Sequence, residues 1–148
     1  PDFEAGHGAE MRIVPYGRAG AEQARAMPGL PAWTRTITGR RTGIVTLASA
    51  DATQRVMERH RLTADSIVAR SFEIPAKPHP DQLLAALAAL EVEPQHAVMV
   101  GDSERDEMAA RAADIPFIGV TNGRHDHRFG ESTVLASHLE EVAAILDG

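Results

Sequence analysis

From Pro28 onward, apolar runs of strand length alternate with amphipathic runs of helix length, and this alternation constrains the fold more than any other feature of the sequence. Gly43 to Ala48 (GIVTLA) predicts a buried strand, Asp51 to His60 a helix, and Ser66 to Ala69 a short second strand. A helix over Asp81 to Leu90 puts Leu83, Leu84, Leu87 and Leu90 on one face, the stripe needed to cover a sheet. A strand at Ala97 to Val100, a helix at Ser103 to Ala113, a strand at Phe117 to Val120 and a helix at Leu139 to Leu146 complete the series. Strands separated by single helices pair in parallel through right-handed crossovers, so the expected class is α/β: a mostly parallel sheet between two layers of helices.

The amino-terminal stretch is different. Residues 1–27 are rich in Gly and Ala, and their only β-like piece is Met11 to Tyr16, whereas residues 28–148 read as one core domain. No apolar run is long enough to cross a bilayer, and no signal-like segment opens the chain, so the expected compartment is the cytoplasm. A net charge of −6 without a basic stripe argues against nucleic acid as a partner. Of fifteen basic residues fourteen are arginine and one is lysine, Lys77, which marks that position for a task needing a compact ammonium.

Loops leaving the carboxyl ends of parallel strands converge on one edge of the sheet and form its binding crevice. Asp102 and Asp106 fall there in VMVGDSERDEMAAR, Lys77 in IPAKPHP, and Thr46 and Ser49 at the end of GIVTLAS. Each also has a plain structural role open to it. Ser103 and Asp106 have capping-box spacing, Asp102 complements a helix dipole, and Thr46 suits a strand. His125 and His127 in RHDHRF are two histidines on a loop, a weak metal signature.

The stretch AKPHPDQLLAALAALEVEPQHAVMVGDSERDEMAARAADIPFIGVTNG resembles the carboxyl half of the haloacid dehalogenase (HAD) superfamily, near its phosphoglycolate phosphatase and β-phosphoglucomutase type members. The likeness runs from Pro28 to the carboxyl end. It implies a three-layer Rossmann-like core and a Mg²⁺-dependent phosphatase acting on a small phosphorylated metabolite. It also implies Asp102 and Asp106 as the acidic metal pair, Lys77 as the catalytic lysine, and Thr46 or Ser49 as the hydroxyl that bonds phosphate.

The superfamily's first motif, an apolar strand followed by D-x-D-G-T that supplies the attacking aspartate, is not found in this chain. Either MRIVPYGRAGA is a degenerate copy, with Gly17 and Ala19 in place of the aspartates, or the true strand lies upstream and residues 1–27 are the end of a cap. Pro15 disfavours the first alternative, because proline cannot donate to a central ladder, and we take the second as the expectation. The cap domain is then absent or vestigial. Asp2 and Asp51 are spare carboxylates without strand-end context. The alternative function is a non-catalytic phosphate-binding or partner-binding domain, and a missing central strand would favour a homo-oligomer through unpaired ladder edges.

Overall fold

The computed structural model describes residues 9–12 and 29–148. Its elements in chain order are β1 (Ala9–Arg12), α1 (Leu30–Ile37), β2 (Thr42–Val45), α2 (Ala50–His60), β3 (Ser66–Val68), α3 (Asp81–Leu90), β4 (Ala97–Gly101), α4 (Glu104–Ala112), β5 (Phe117–Val120), β6 (Val134–Ala136) and α5 (Leu139–Asp147). A 3₁₀ turn at Pro94–His96 leads into β4.

The six strands form one sheet in the order β3-β2-β1-β4-β5-β6, and every pair is parallel. This is the doubly wound arrangement, whose strand order reverses at its centre and opens a crevice at the carboxyl ends there. The reversal falls at β1, which pairs with β2 on one side and β4 on the other. The central place is thus taken by Ala9–Arg12, two residues earlier than the Met11 to Tyr16 run suggested. Ile13 to Pro28, with Pro15, Gly17, Ala19 and any cap remnant, lie outside the described residues. Because β1 joins β2 to β4, the sheet lacks the unpaired central ladder on which the expectation of self-association rested.

Alternation along β4 sorts the core into two faces, as the period of two for a strand requires. Ala97 and Met99 join Val45, Leu83, Ala86, Leu87 and Leu90 beneath α3 and α4. Val98 and Val100 join Trp33, Ile118, Leu139, Val142 and Leu146 beneath α1 and α5. Ile44, on the face of β2 opposite Val45, packs under α2 with Ala52, Val56 and Met57. Helices α1 and α5 are also joined by Thr36 Oγ1, which donates to Asp147 Oδ2 at 2.7 Å.

Two details differ from the sequence reading. The buried stripe of α3 is Gln82, Leu83, Ala86, Leu87 and Leu90, while Leu84, expected on it, is exposed. Gln82 is fully buried, with its amide hydrogen-bonded to three backbone groups. Strand β2 ends at Val45, so Thr46 to Ser49 form a loop rather than its last residues.

Candidate active site

At the carboxyl edge of the sheet the loop before α3 brings Lys77, and the β4–α4 connection with the first turn of α4 brings Asp102 and Asp106, to one place. Lys77 is buried, 3% exposed. Its Nζ donates to Asp106 Oδ1 at 2.9 Å and to the Val45 carbonyl at 3.4 Å. The other Asp106 oxygen, Oδ2, accepts the backbone N–H groups of Asp102 and Ser103, each at 3.2 Å. Ser103 Oγ in turn accepts the Asp106 N–H at 3.3 Å, which completes a capping box at the start of α4. The capping and lysine-binding roles therefore coexist in one carboxylate, because its two oxygens face opposite ways.

Local sequence explains why Asp106 can lie there. A Cβ on Gly101 would fall 2.6 Å from the Asp106 Cβ and Oδ2. Only glycine lets the end of β4 pass under the carboxylate, so the Gly-Asp of VGDS is a steric requirement as well as a chemical one. Lys77 is held from the other side by Gln82, whose Oε1 accepts the Lys77 N–H at 3.3 Å. Gln82 Nε2 donates to the Thr46 carbonyl at 3.2 Å and the Ala69 carbonyl at 3.4 Å. One side chain thus ties the lysine loop to the ends of β2 and β3. A polar residue in the apolar stripe of α3 was the sequence signal for it, and the leucine count passed over it.

Burial pushes the Lys77 ammonium below its usual value, and the charges of Asp106 and Asp102 pull against that shift. Asp102 is pushed up, first by desolvation and next by the charge of Asp106, with Lys77 and Arg124 opposing. Its side chain nevertheless reaches solvent, and among the described residues no side-chain donor hydrogen-bonds its carboxylate. Asp102 is therefore a solvent-facing carboxylate whose nearby cations only partly offset its desolvation and the charge of Asp106.

The other candidates are placed as follows. Thr46 is fully buried immediately after β2, next to the Val45 carbonyl that receives Lys77, and its Oγ1 accepts the Ala48 N–H at 3.0 Å. Ser49 is the exposed N-cap of α2, accepting the Ala52 N–H at 3.2 Å. Asp51 lies in the first turn of α2 and binds Arg55 at 3.2 Å. Asp106, expected to share a metal with Asp102, has both oxygens engaged by protein donors. Among the described residues no group of three or more His, Asp or Glu side chains is arranged to hold a metal. His125 and His127 form no such group, and His127 instead packs on Phe129 with ring centroids 5.5 Å apart.

On its open side Asp102 borders a cleft of about 270 Å³, whose far wall is Val120, Thr121, Asn122, Arg124 and Asp126 to Phe129. Glu107, buried one residue after Asp106, secures the end of that wall. It accepts the Gly130 N–H at 3.1 Å, the Thr133 hydroxyl and an Arg111 guanidinium at 2.9 Å. No described helix is long and apolar enough to cross a membrane.

Comparison with known proteins bears on the family and the fold. Over 60 residues the chain is 42% identical to phosphoglycolate phosphatase of Escherichia coli K12, a match covering 40% of this chain and 23% of that protein. Its fold is that of CbbY from Rhodobacter sphaeroides, solved in complex with phosphate, with a TM-score of 0.75 and 24% identity over 88% of this chain and 63% of that one. A mutant of CbbY in complex with xylulose-(1,5)bisphosphate gives a TM-score of 0.72 and 25% identity, over 81% of this chain and 58% of that one. The chain thus covers less than two thirds of the length of these relatives. The family model for haloacid dehalogenase-like hydrolases matches residues 4–114, a span that includes β1, Lys77, Asp102 and Asp106, and the chain belongs to that family.

Proposed function

We propose that the crevice is the phosphoryl-binding site of a Mg²⁺-dependent phosphomonoester hydrolase acting on a small phosphorylated metabolite. The observation that carries this reading is the buried Lys77–Asp106 pair, held by Gln82 beside Thr46 and Asp102. Burying the chain's one lysine is costly, and a buried ammonium at a strand-end crevice is a ready counter-charge for an anion.

The donor set suits Mg²⁺, which keeps several waters and takes one or two carboxylates rather than an all-protein cage. Asp102 is the carboxylate that would hold it, and a cation there relieves the desolvated charge that raises its pKa. Asp106 would support such a site indirectly, since its Oδ2 accepts the Asp102 and Ser103 N–H groups while Oδ1 holds Lys77. When bound, the ion would draw charge from the phosphoryl oxygens. Lys77 neutralises a further oxygen, and Thr46 or Ser49 orients the group through its hydroxyl, Thr46 having the position next to the lysine's own carbonyl contact.

Hydrolysis by this chain is expected to be impaired. The stretch that follows β1, Ile13 to Pro28, contains no aspartate to attack phosphorus. Loss of such a nucleophile costs several orders of magnitude even where binding survives. The same observation favours a second reading, a phosphate-binding domain that does not turn over.

Calorimetric titration with orthophosphate in Mg²⁺ and in EDTA, together with aryl phosphate hydrolysis, separates these readings. Mg²⁺-dependent binding that disappears in Asp102→Asn and Lys77→Ala is expected. Slow hydrolysis lost in the same variants supports the hydrolase, and binding without turnover supports the second reading. Absence of Mg²⁺-dependent binding in the unaltered chain would overturn both.

A further inference from the structure

Gln82 interrupts the apolar stripe by which α3 covers β2 and β3, lying fully buried among Leu83, Ala86, Leu87 and Leu90. We propose that Gln82 is a positioning residue of the phosphoryl site, whose carboxamide sets Lys77 and Thr46 in register for one phosphate group without touching that group. The inference rests on the phosphatase reading above and adds the device that holds two of its phosphate-binding residues together.

Packing alone does not ask for an amide there. A leucine or methionine would cover the sheet as well, whereas a buried amide loses its water and is tolerated only where hydrogen bonds replace it. All three replacements are backbone groups near the carboxyl edge of the sheet. Oε1 accepts the Lys77 N–H at 3.3 Å, and Nε2 donates to the carbonyls of Thr46 at 3.2 Å and Ala69 at 3.4 Å. A carboxamide offers an oxygen that accepts and a nitrogen with two hydrogens to donate. Turned the other way it would set like against like at every contact, so its orientation is fixed by the backbone it binds.

Those backbone groups are the roots of the phosphate-binding side chains. Lys77 Nζ bonds the Val45 carbonyl at 3.4 Å and Asp106 Oδ1 at 2.9 Å. The ammonium is thus held by the end of β2 and the first turn of α4, and the backbone it grows from is held by Gln82. Thr46 follows Val45 directly, and its carbonyl is bound by the same amide. One side chain therefore links the root of the ammonium to the strand end that carries the hydroxyl. Ala69 and Lys77 also bracket residues 70–76, whose Phe72 projects wholly into solvent. By holding both ends, Gln82 closes this loop at its neck and keeps movement at the tip from displacing Lys77.

Asp102 has a separate support, because its N–H and that of Ser103 are held by Asp106 Oδ2. Loss of the Gln82 amide should therefore weaken phosphate binding and spare the carboxylate that would hold Mg²⁺.

The test is calorimetric titration of the unaltered chain and of Gln82→Met, which keeps the length of the side chain and removes its hydrogen bonds. Each is titrated with Mg²⁺ alone, then with orthophosphate in saturating Mg²⁺. The variant should bind orthophosphate about tenfold more weakly and Mg²⁺ within about twofold of the unaltered chain. Unchanged orthophosphate affinity would overturn the inference. So would a parallel loss of both ligands, which marks a general loosening of the fold. Should Gln82→Met leave too many buried groups unpaired to fold, amide hydrogen exchange in the unaltered chain decides. Bonds that favour phosphate are favoured by it in turn. Saturating orthophosphate in Mg²⁺ should then slow exchange at the Lys77 N–H about tenfold more than at the Ile115 N–H, which bonds the Ala110 carbonyl at the far end of α4. Equal slowing at both would overturn this inference alone. Absence of orthophosphate binding in the unaltered chain would overturn the phosphatase reading and this inference with it.

Discussion

The two sides of Asp102 solve opposite problems with the same kinds of residue. Toward the sheet, Lys77 and Asp106 are a buried ion pair, their side chains 1% and 2% exposed, with Gln82 and two backbone N–H groups completing their bonds. Toward solvent, Arg124 and Asp126 form an ion pair with side chains 67% and 76% exposed. A buried pair is fixed in place because separating it would strand a charge away from water, whereas an exposed pair can exchange partners at little cost. The buried pair is therefore set by the fold, whereas the open pair stays free to rearrange.

The largest effect should come from breaking the buried side. Lys77→Met leaves Asp106 buried without its cation and is expected to cost about 3 kcal/mol, with a clear fall in the midpoint of thermal unfolding. Adding Asp106→Asn should restore much of that loss, because the amide oxygen still accepts the Asp102 and Ser103 N–H groups and no lone charge remains. Urea unfolding of the single and double variants measures this coupling. A loss in the double variant equal to the sum of the losses in Lys77→Met and Asp106→Asn alone would mean that the pair contributes nothing beyond its separate residues.

How much of this could be read in advance depends on which physical signal carried each part. The parallel α/β architecture was legible because β4, α3 and α4 carry clean periodicities, and because GDSERD keeps its acids one helical turn apart. Strands β1 and β6 were obscure for another reason. Ala9–Arg12 has a charged residue at every second position, and Val134–Ala136 is three residues long, so pairing with neighbours rather than local pattern defines them. Helix α1 has Leu30, Trp33 and Ile37 at helical spacing, but at eight residues beside a Gly/Ala-rich stretch its periodicity is too short to stand out. In the site, Lys77, Asp102 and Asp106 declared themselves by type and spacing. Gln82 and Glu107 did not, because the backbone groups they bond belong to segments that meet them only in the folded chain.

Asp102, on the boundary between the two sides, should give an effect of intermediate size and opposite sign. Because the folded protein holds its proton to a higher pH than the unfolded chain does, its contribution to stability is complete below the ordinary carboxylate value. That contribution is lost as pH rises through the raised value. Asp102→Asn removes the crowded charge, so in EDTA near neutral pH the variant should unfold at a higher temperature than the unaltered chain, and the difference should shrink as pH falls. Mg²⁺ should stabilise only the unaltered chain. A variant that melts lower than the unaltered chain across this range would show that the carboxylate's attraction to Lys77 and Arg124 outweighs its desolvation.

The smallest effect on stability should come from the open side, and there the comparison is sharpest. Asp126→Asn removes the partner of an arginine already in water, so the thermal midpoint should stay within measurement error. Ligand binding should respond nonetheless. The Asp126 carboxylate competes with any anion that approaches Arg124, and its pKa is held down by the hydrogen bonds and charge of that arginine, so it remains a competitor throughout the neutral range. Neutralising it should tighten Mg²⁺-dependent binding of orthophosphate about two- to threefold in calorimetry. A change in stability without a change in affinity would assign Asp126 to the architecture of the loop. The reverse would place it among the groups that set the strength of binding, beside a buried pair whose own replacement changes stability first.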